Sequence, residues 1–167
     1  MKLLKNITLC LVLMMAVAVS TNAQDRLPDV TVKDMNGNEI NMTSYGEDGK
    51  ITVFTFWATW CAPCKKELNN IADLYDDWKE EYNVEVVAVN IDDQRNLAKV
   101  KPFVDGKGWE YTCLTDPNEA LKRSLNFQTI PFTLVVDAEG DIVYEHSGYV
   151  EGDEYELEDF LKELNED

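Results

Sequence analysis

The 167-residue sequence predicts an α/β domain, with a central mixed β-sheet flanked by helices. Three observations carry that expectation. Ile51 to Trp57 is a short β-branched and aromatic run, the pattern of a strand buried on both faces. From Ala62 the period changes, and Leu68, Ile71, Ala72, Tyr75, Trp78 and Tyr82 line up as one stripe of a long amphipathic helix. Val84 to Ile91 then returns to a continuous apolar strand. A strand–helix–strand unit predicts parallel pairing with a right-handed crossover.

The remaining elements follow in chain order. Lys2 and Lys5 precede a thirteen-residue apolar run, Ile7 to Val19, broken only by Thr8 and followed by Ser20, Thr21, Asn22 and Ala23. That order describes a secretory signal peptide over residues 1–23, with cleavage expected before Gln24. The alternative is a retained anchor, but the run falls short of the about 20 residues needed to span a bilayer. The domain is then residues 24–167. Val30-Thr31-Val32 and Ile40-Asn41-Met42 alternate around Asn36-Gly37, which reads as an N-terminal β-hairpin closed by a type I′ turn.

Beyond the central unit, residues 94–105 read as a helix that Pro102 kinks or divides and that Gly106 and Gly108 end. Tyr111 to Leu114 is a short strand. Asp116-Pro117-Asn118-Glu119 opens a further helix, with Asp116 as its cap and Pro117 at its first position. Phe132 to Val136 and Ile142 to Tyr144 form a hairpin, and Leu157, Phe160, Leu161 and Leu164 mark a closing helix.

Composition narrows the function. Apolar residues make up 45% and charged residues 28%, which is globular rather than disordered. Without residues 1–23, 13 Lys+Arg face 32 Asp+Glu, a net charge of −19. Nucleic-acid affinity rests on basic residues displacing counterions, so a nucleic-acid partner is excluded. Four cysteines are too few for a disulfide-dense miniature scaffold.

Most of the functional information lies in Trp57-Ala58-Thr59-Trp60-Cys61-Ala62-Pro63-Cys64-Lys65-Lys66-Glu67. A strand runs into two cysteines three residues apart, and a helix begins at them. That spacing on a first helical turn puts both sulfurs on one side, where a disulfide can close. The helix start favours the thiolate of Cys61, which becomes the nucleophile, and Lys65 and Lys66 add positive potential. Pro63 shapes the first turn without losing a helical hydrogen bond. The chemistry implied is thiol–disulfide exchange, with Cys61 attacking and Cys64 resolving. A fixed disulfide and half of a zinc site are the alternatives, but only Cys113 and the lone His146 remain as further ligands, so no metal is expected.

With WATWCAPCKKE after a strand and TIPFTLVVD further on, the chain resembles the thioredoxin fold, and it is similar to the exported TlpA/ResA-like thiol-disulfide oxidoreductases over about residues 27–164. The helix at 94–105 and the strand after it correspond to the helix–strand insertion of that family. The resemblance implies that Pro131 is a cis-proline beside the active-site pair and that Ile130 offers backbone groups to a substrate chain, alongside Trp60, Ala62 and Pro63. Glu67 matches an acidic residue that some members place near the cysteines. It lies one turn after Cys64, either relaying that thiol's proton or standing as a solvated first-turn carboxylate. Where thioredoxin has a buried Asp in the preceding strand, this chain has Thr55.

The resemblance further implies an exported enzyme, periplasmic or in the cell envelope of a bacterium. It would reduce disulfides of exported proteins, apocytochromes among them, as a monomer with electrons from a membrane thiol-transfer protein. The cysteine couple would serve in place of a separate cofactor. Reductase or oxidant direction depends on the reduction potential. A peroxiredoxin-type thiol peroxidase would require Pro at 54 and Thr or Ser at 58, where this chain has Phe54 and Ala58. A metal-delivery or other non-catalytic module on the same fold is the remaining alternative; copper delivery wants Cys-x-x-x-Cys, one residue more than the spacing here. Cys113 reads as a small buried hydrophobe and His146 as structural.

Overall fold

A computed structural model describes residues 26–47 and 49–166. The signal-peptide expectation for residues 1–23 lies outside the described residues. Among the described residues, no helix is long and apolar enough to cross a membrane.

Seven strands form one open mixed sheet: β1 (Thr31–Asp34), β2 (Glu39–Asn41), β3 (Ile51–Trp57), β4 (Val84–Asn90), β5 (Thr112–Thr115), β6 (Phe132–Val136) and β7 (Ile142–Ser147), in the order β2-β1-β5-β4-β3-β6-β7. Every residue of β3 is buried, as its unbroken apolar run requires of a central strand. β3 and β4 pair in parallel from Ile51–Val84 to Trp57–Asn90, and β4 and β5 are also parallel. β6 and β7 add antiparallel on one side, and the β1–β2 hairpin adds antiparallel to β5 on the other.

Among the described residues, four α-helices accompany the sheet: α1 (Ala62–Tyr82), α2 (Leu97–Lys107), α3 (Ala120–Ser124) and α4 (Asp153–Glu166). α1 buries Leu68, Ile71 and Trp78 of the predicted stripe together with Cys64 and Glu67, leaves Ala72, Tyr75 and Tyr82 half-buried, and packs against β4 and α4. Asn83 ends it in the left-handed conformation. β3 and α1 therefore meet at the C-terminal edge of the parallel strands, where open α/β sheets place their sites.

Three local expectations are corrected. The β1–β2 turn is not type I′, because only Gly37 has a positive φ (87°) and Asn36 does not. The Asp34 carboxylate accepts from the backbone N–H of Asn36 and Asn38, which closes a three-residue loop instead. Asp137 does the same for Glu139 and Asp141 in the β6–β7 loop, again with glycine (Gly140, φ 88°) at the left-handed position. α2 starts at Leu97 rather than at 94, because Asp93 ties Asn96 into a turn first. It runs unbroken through Pro102 and Gly106 and ends at Gly108. α3 starts at Ala120, because Glu119 is left-handed and cannot continue a helix backward. Asp116 still caps it from further away, accepting from the N–H groups of Ala120, Leu121 and Lys122.

Candidate active site at the Cys61–Cys64 pair

Cys61 and Cys64 are joined as a disulfide across a Cα–Cα distance of 5.4 Å. Cys61 is the N-cap of α1, and its sulfur accepts from the Cys64 N–H at 3.3 Å. Cys64 is fully buried and Cys61 is 5% exposed. A sulfur at this position faces the unpaired N–H groups of the first turn, an environment that stabilises a thiolate.

The rim around the pair comes from two places. Trp60 is 67% exposed, and Ala62 and Pro63 are exposed beside it. Across the cleft, the Ile130–Pro131 peptide is cis, and the Ile130 carbonyl oxygen lies 4.0 Å from the Cys61 sulfur. The Pro131 carbonyl in turn accepts from the Gly148 N–H, which ties this segment to the loop after β7. The five residues expected to receive substrate therefore come from two segments 69 residues apart, with Cys61 against Ile130.

The loop between β3 and α1 is anchored by residues the sequence reading did not single out. Asp92, 1% exposed, accepts from the Thr59 N–H at 2.7 Å, the Thr59 hydroxyl at 2.8 Å and the Asn90 amide at 2.8 Å. The signal was Asn90 and Asp92, two polar residues flanking Ile91 where an apolar strand ends. From the other side, the Lys65 ammonium donates to the Thr59 carbonyl at 3.0 Å. Lys66 does not add free positive potential as expected, because Glu151 pairs with it at 2.5 Å. Trp57, at the end of β3, is covered by Phe103 of α2 and by Trp109, with ring centroids 5.5 Å and 5.4 Å away.

Glu67 is 5% exposed, so it is not a solvated carboxylate. The Thr55 hydroxyl donates to one of its oxygens at 2.9 Å and the Thr133 hydroxyl to the other at 2.8 Å. Burial pushes its pKa up from 4.5 to about 7, against the lowering effect of the two threonines, and the charges of Asp153 and Glu154 push the same way. Thr55 is the residue that stands in place of a buried acid; here it serves the acid one helical turn beyond Cys64.

Cys113 is the free thiol among the described residues, 7% exposed, with burial pushing its pKa up to about 12. It is unsuited to nucleophilic attack at neutral pH. His146 lies on β7 with its Nε2 3.4 Å from an Asp153 oxygen. Phe54 and Ala58, at the positions where a peroxidase motif needs polar or proline residues, are fully buried apolar side chains.

Residues 23–145 match the model of the AhpC/TSA family. The thiol-disulfide oxidoreductase ResA of Geobacillus kaustophilus is 30% identical over 127 residues, which cover 76% of this chain and 68% of that one. ResA of Bacillus anthracis is 30% identical over 137 residues, covering 82% and 75%. A thioredoxin-like protein from Porphyromonas gingivalis, known from its solution structure, is 43% identical with a TM-score of 0.75, covering 84% of this chain and 92% of that one.

Proposed function

The chain belongs to the AhpC/TSA family and is a thiol-disulfide oxidoreductase of the ResA type, and from that premise we propose that it is an exported reductase of protein disulfides. The observation that carries the proposal is the Cys61–Cys64 pair at a helix start, with the Ile130 carbonyl oxygen 4.0 Å from the Cys61 sulfur. In the reduced enzyme the Cys61 thiolate attacks a substrate disulfide, forming a mixed disulfide and expelling one substrate thiolate. Cys64 loses its proton to Glu67 and attacks the Cys61 sulfur. The intramolecular disulfide forms, the second substrate thiolate leaves, and two electrons have passed to the substrate. A carboxyl group with a pKa of about 7 is matched to taking that proton near neutral pH.

Trp60, Ala62, Pro63, Ile130 and Pro131 receive the substrate chain, the first three by their exposed side chains and Ile130 by its backbone. Residues 1–23 direct export to the periplasm or cell envelope and are cleaved before Gln24. Substrates are exported proteins with disulfides, apocytochromes among them. A membrane thiol-transfer protein returns the couple to its dithiol form, and the enzyme works as a monomer with no further cofactor. A Cys64→Ser variant tests the roles: it should accumulate mixed disulfides with exported proteins through Cys61, whereas Cys61→Ser should accumulate none. Equal trapping by both variants contradicts the assignment of nucleophile and resolving thiol.

A further inference from the structure

Glu67 is only 5% exposed, so its carboxyl has little direct contact with bulk water. Its carboxyl, however, also borders a small recess where α1, β6, β7 and the start of α4 meet. The recess holds about 10 Å³ of space for the centre of a water, room for one molecule. Cys61, Cys64, Ile130 and Pro131 are not among the residues lining it, so it is a second side of Glu67, separate from the substrate cleft.

The other polar groups of the recess divide by what they already do. The Thr133 hydroxyl is committed to Glu67. The Tyr149 hydroxyl donates to Glu154 at 2.6 Å, and Glu154 also accepts from Asn70 and from the Gly152 N–H at 3.0 Å each. Tyr144 is stacked on His146 with ring centroids 6.4 Å apart. His146 and Asp153 remain, paired at 3.4 Å, with side chains 40% and 22% exposed. Asp153 is fixed by the Val150 N–H at 2.7 Å. Imidazole is the side chain that takes up and releases a proton around neutral pH, and a carboxylate beside it holds its orientation.

We propose that this recess is the proton exit of Glu67, with a water passing the proton to His146, which Asp153 holds and which releases it to solvent. The inference rests on Glu67 accepting the Cys64 proton. The steps balance. The Cys64 S–H gives its proton to a Glu67 oxygen, and the protonated carboxyl gives one to the recess water as that water gives one to the imidazole. The imidazolium then loses it to bulk water, and the carboxylate and neutral ring are restored. No electrons move along this branch. His146 is a positioning residue that acts through Glu67: in the mixed disulfide a Glu67 that is still protonated must lose its proton along this branch before it can take that of Cys64.

The test follows single turnovers of the reduced protein with an excess of oxidised glutathione, between pH 5.5 and 8.5. His146→Ala should slow the resolving step about tenfold at pH 7. Added imidazole should restore it, while the equilibrium of the Cys61–Cys64 couple with glutathione stays unchanged. Asp153→Asn keeps an oxygen for the Val150 N–H and should slow the step less. Glu67→Gln should slow it with no rescue by imidazole. A slow Glu67→Gln beside a His146→Ala at wild-type rate overturns the exit and leaves the role of Glu67 standing. Wild-type kinetics in Glu67→Gln overturn that role itself. A slow His146→Ala that imidazole does not rescue overturns the exit in favour of a purely structural histidine.

Discussion

Glu67→Gln should make the oxidised protein more stable at pH 8 and not at pH 4. The wild-type carboxyl titrates near 7 when folded and near 4.5 when not. Between those values the folded chain holds a proton that the unfolded chain has released, so stability falls as the pH rises through this window. At about 1.4 kcal/mol per pH unit, the full loss above pH 7 is about 3 kcal/mol. Glutamine has the same shape and no charge to bury. Its single carbonyl oxygen serves one threonine hydroxyl, whereas the carboxylate serves both Thr55 and Thr133, so about 1 kcal/mol is given back. The net gain at pH 8 is about 2 kcal/mol, falling to near zero below pH 4.5, where the protonated carboxyl and the amide each offer one carbonyl oxygen and a donor. Urea unfolding of both oxidised proteins from pH 4 to pH 8.5 measures it, with the disulfide keeping Cys61 and Cys64 out of the titration. Parallel stability curves for the two proteins would refute the buried, high-pKa carboxyl.

Two further outcomes follow from packing. Gly37→Ala and Gly140→Ala place a side chain at nearly equal positive φ, 87° and 88°, but their surroundings differ. A Cβ at Gly37 meets nothing within 4 Å, so the loss is the left-handed strain of about 1 kcal/mol. At Gly140 it lies 2.9 Å from the Gly46 carbonyl oxygen, and denaturant midpoints should show a loss of about 3 kcal/mol; equal losses at the two sites would contradict the contact between the loops. In the oxidised protein Cys113 should react with iodoacetamide at pH 8 only after unfolding in urea, as its burial and raised pKa require; rapid labelling of the folded protein would contradict the buried position.

The part of the fold that positions the cysteines was legible because its signals are local. A β-branched run, a 3.6-residue period and two cysteines at a helix start each need only a few neighbouring residues to be read. The turn errors were local as well: Asn36-Gly37 suggested type I′, but the Asp34 carboxylate chose a longer loop through two backbone bonds. The state of Glu67 was not legible. Its threonine partners lie 12 and 66 residues away, so only the folded sheet shows the carboxyl buried between them. Asp92 was missed for the same reason, since it is 33 residues from the Thr59 it anchors. Lys66 looked free because Glu151, its partner, is 85 residues further on.

The most direct test of the reductase reading is the reduction potential of the Cys61–Cys64 couple, measured by equilibration in dithiol redox buffers at pH 7. A reductase requires a value near thioredoxin's, about −270 mV, and that is the expected result. A value near that of the oxidant DsbA, about −120 mV, would contradict it.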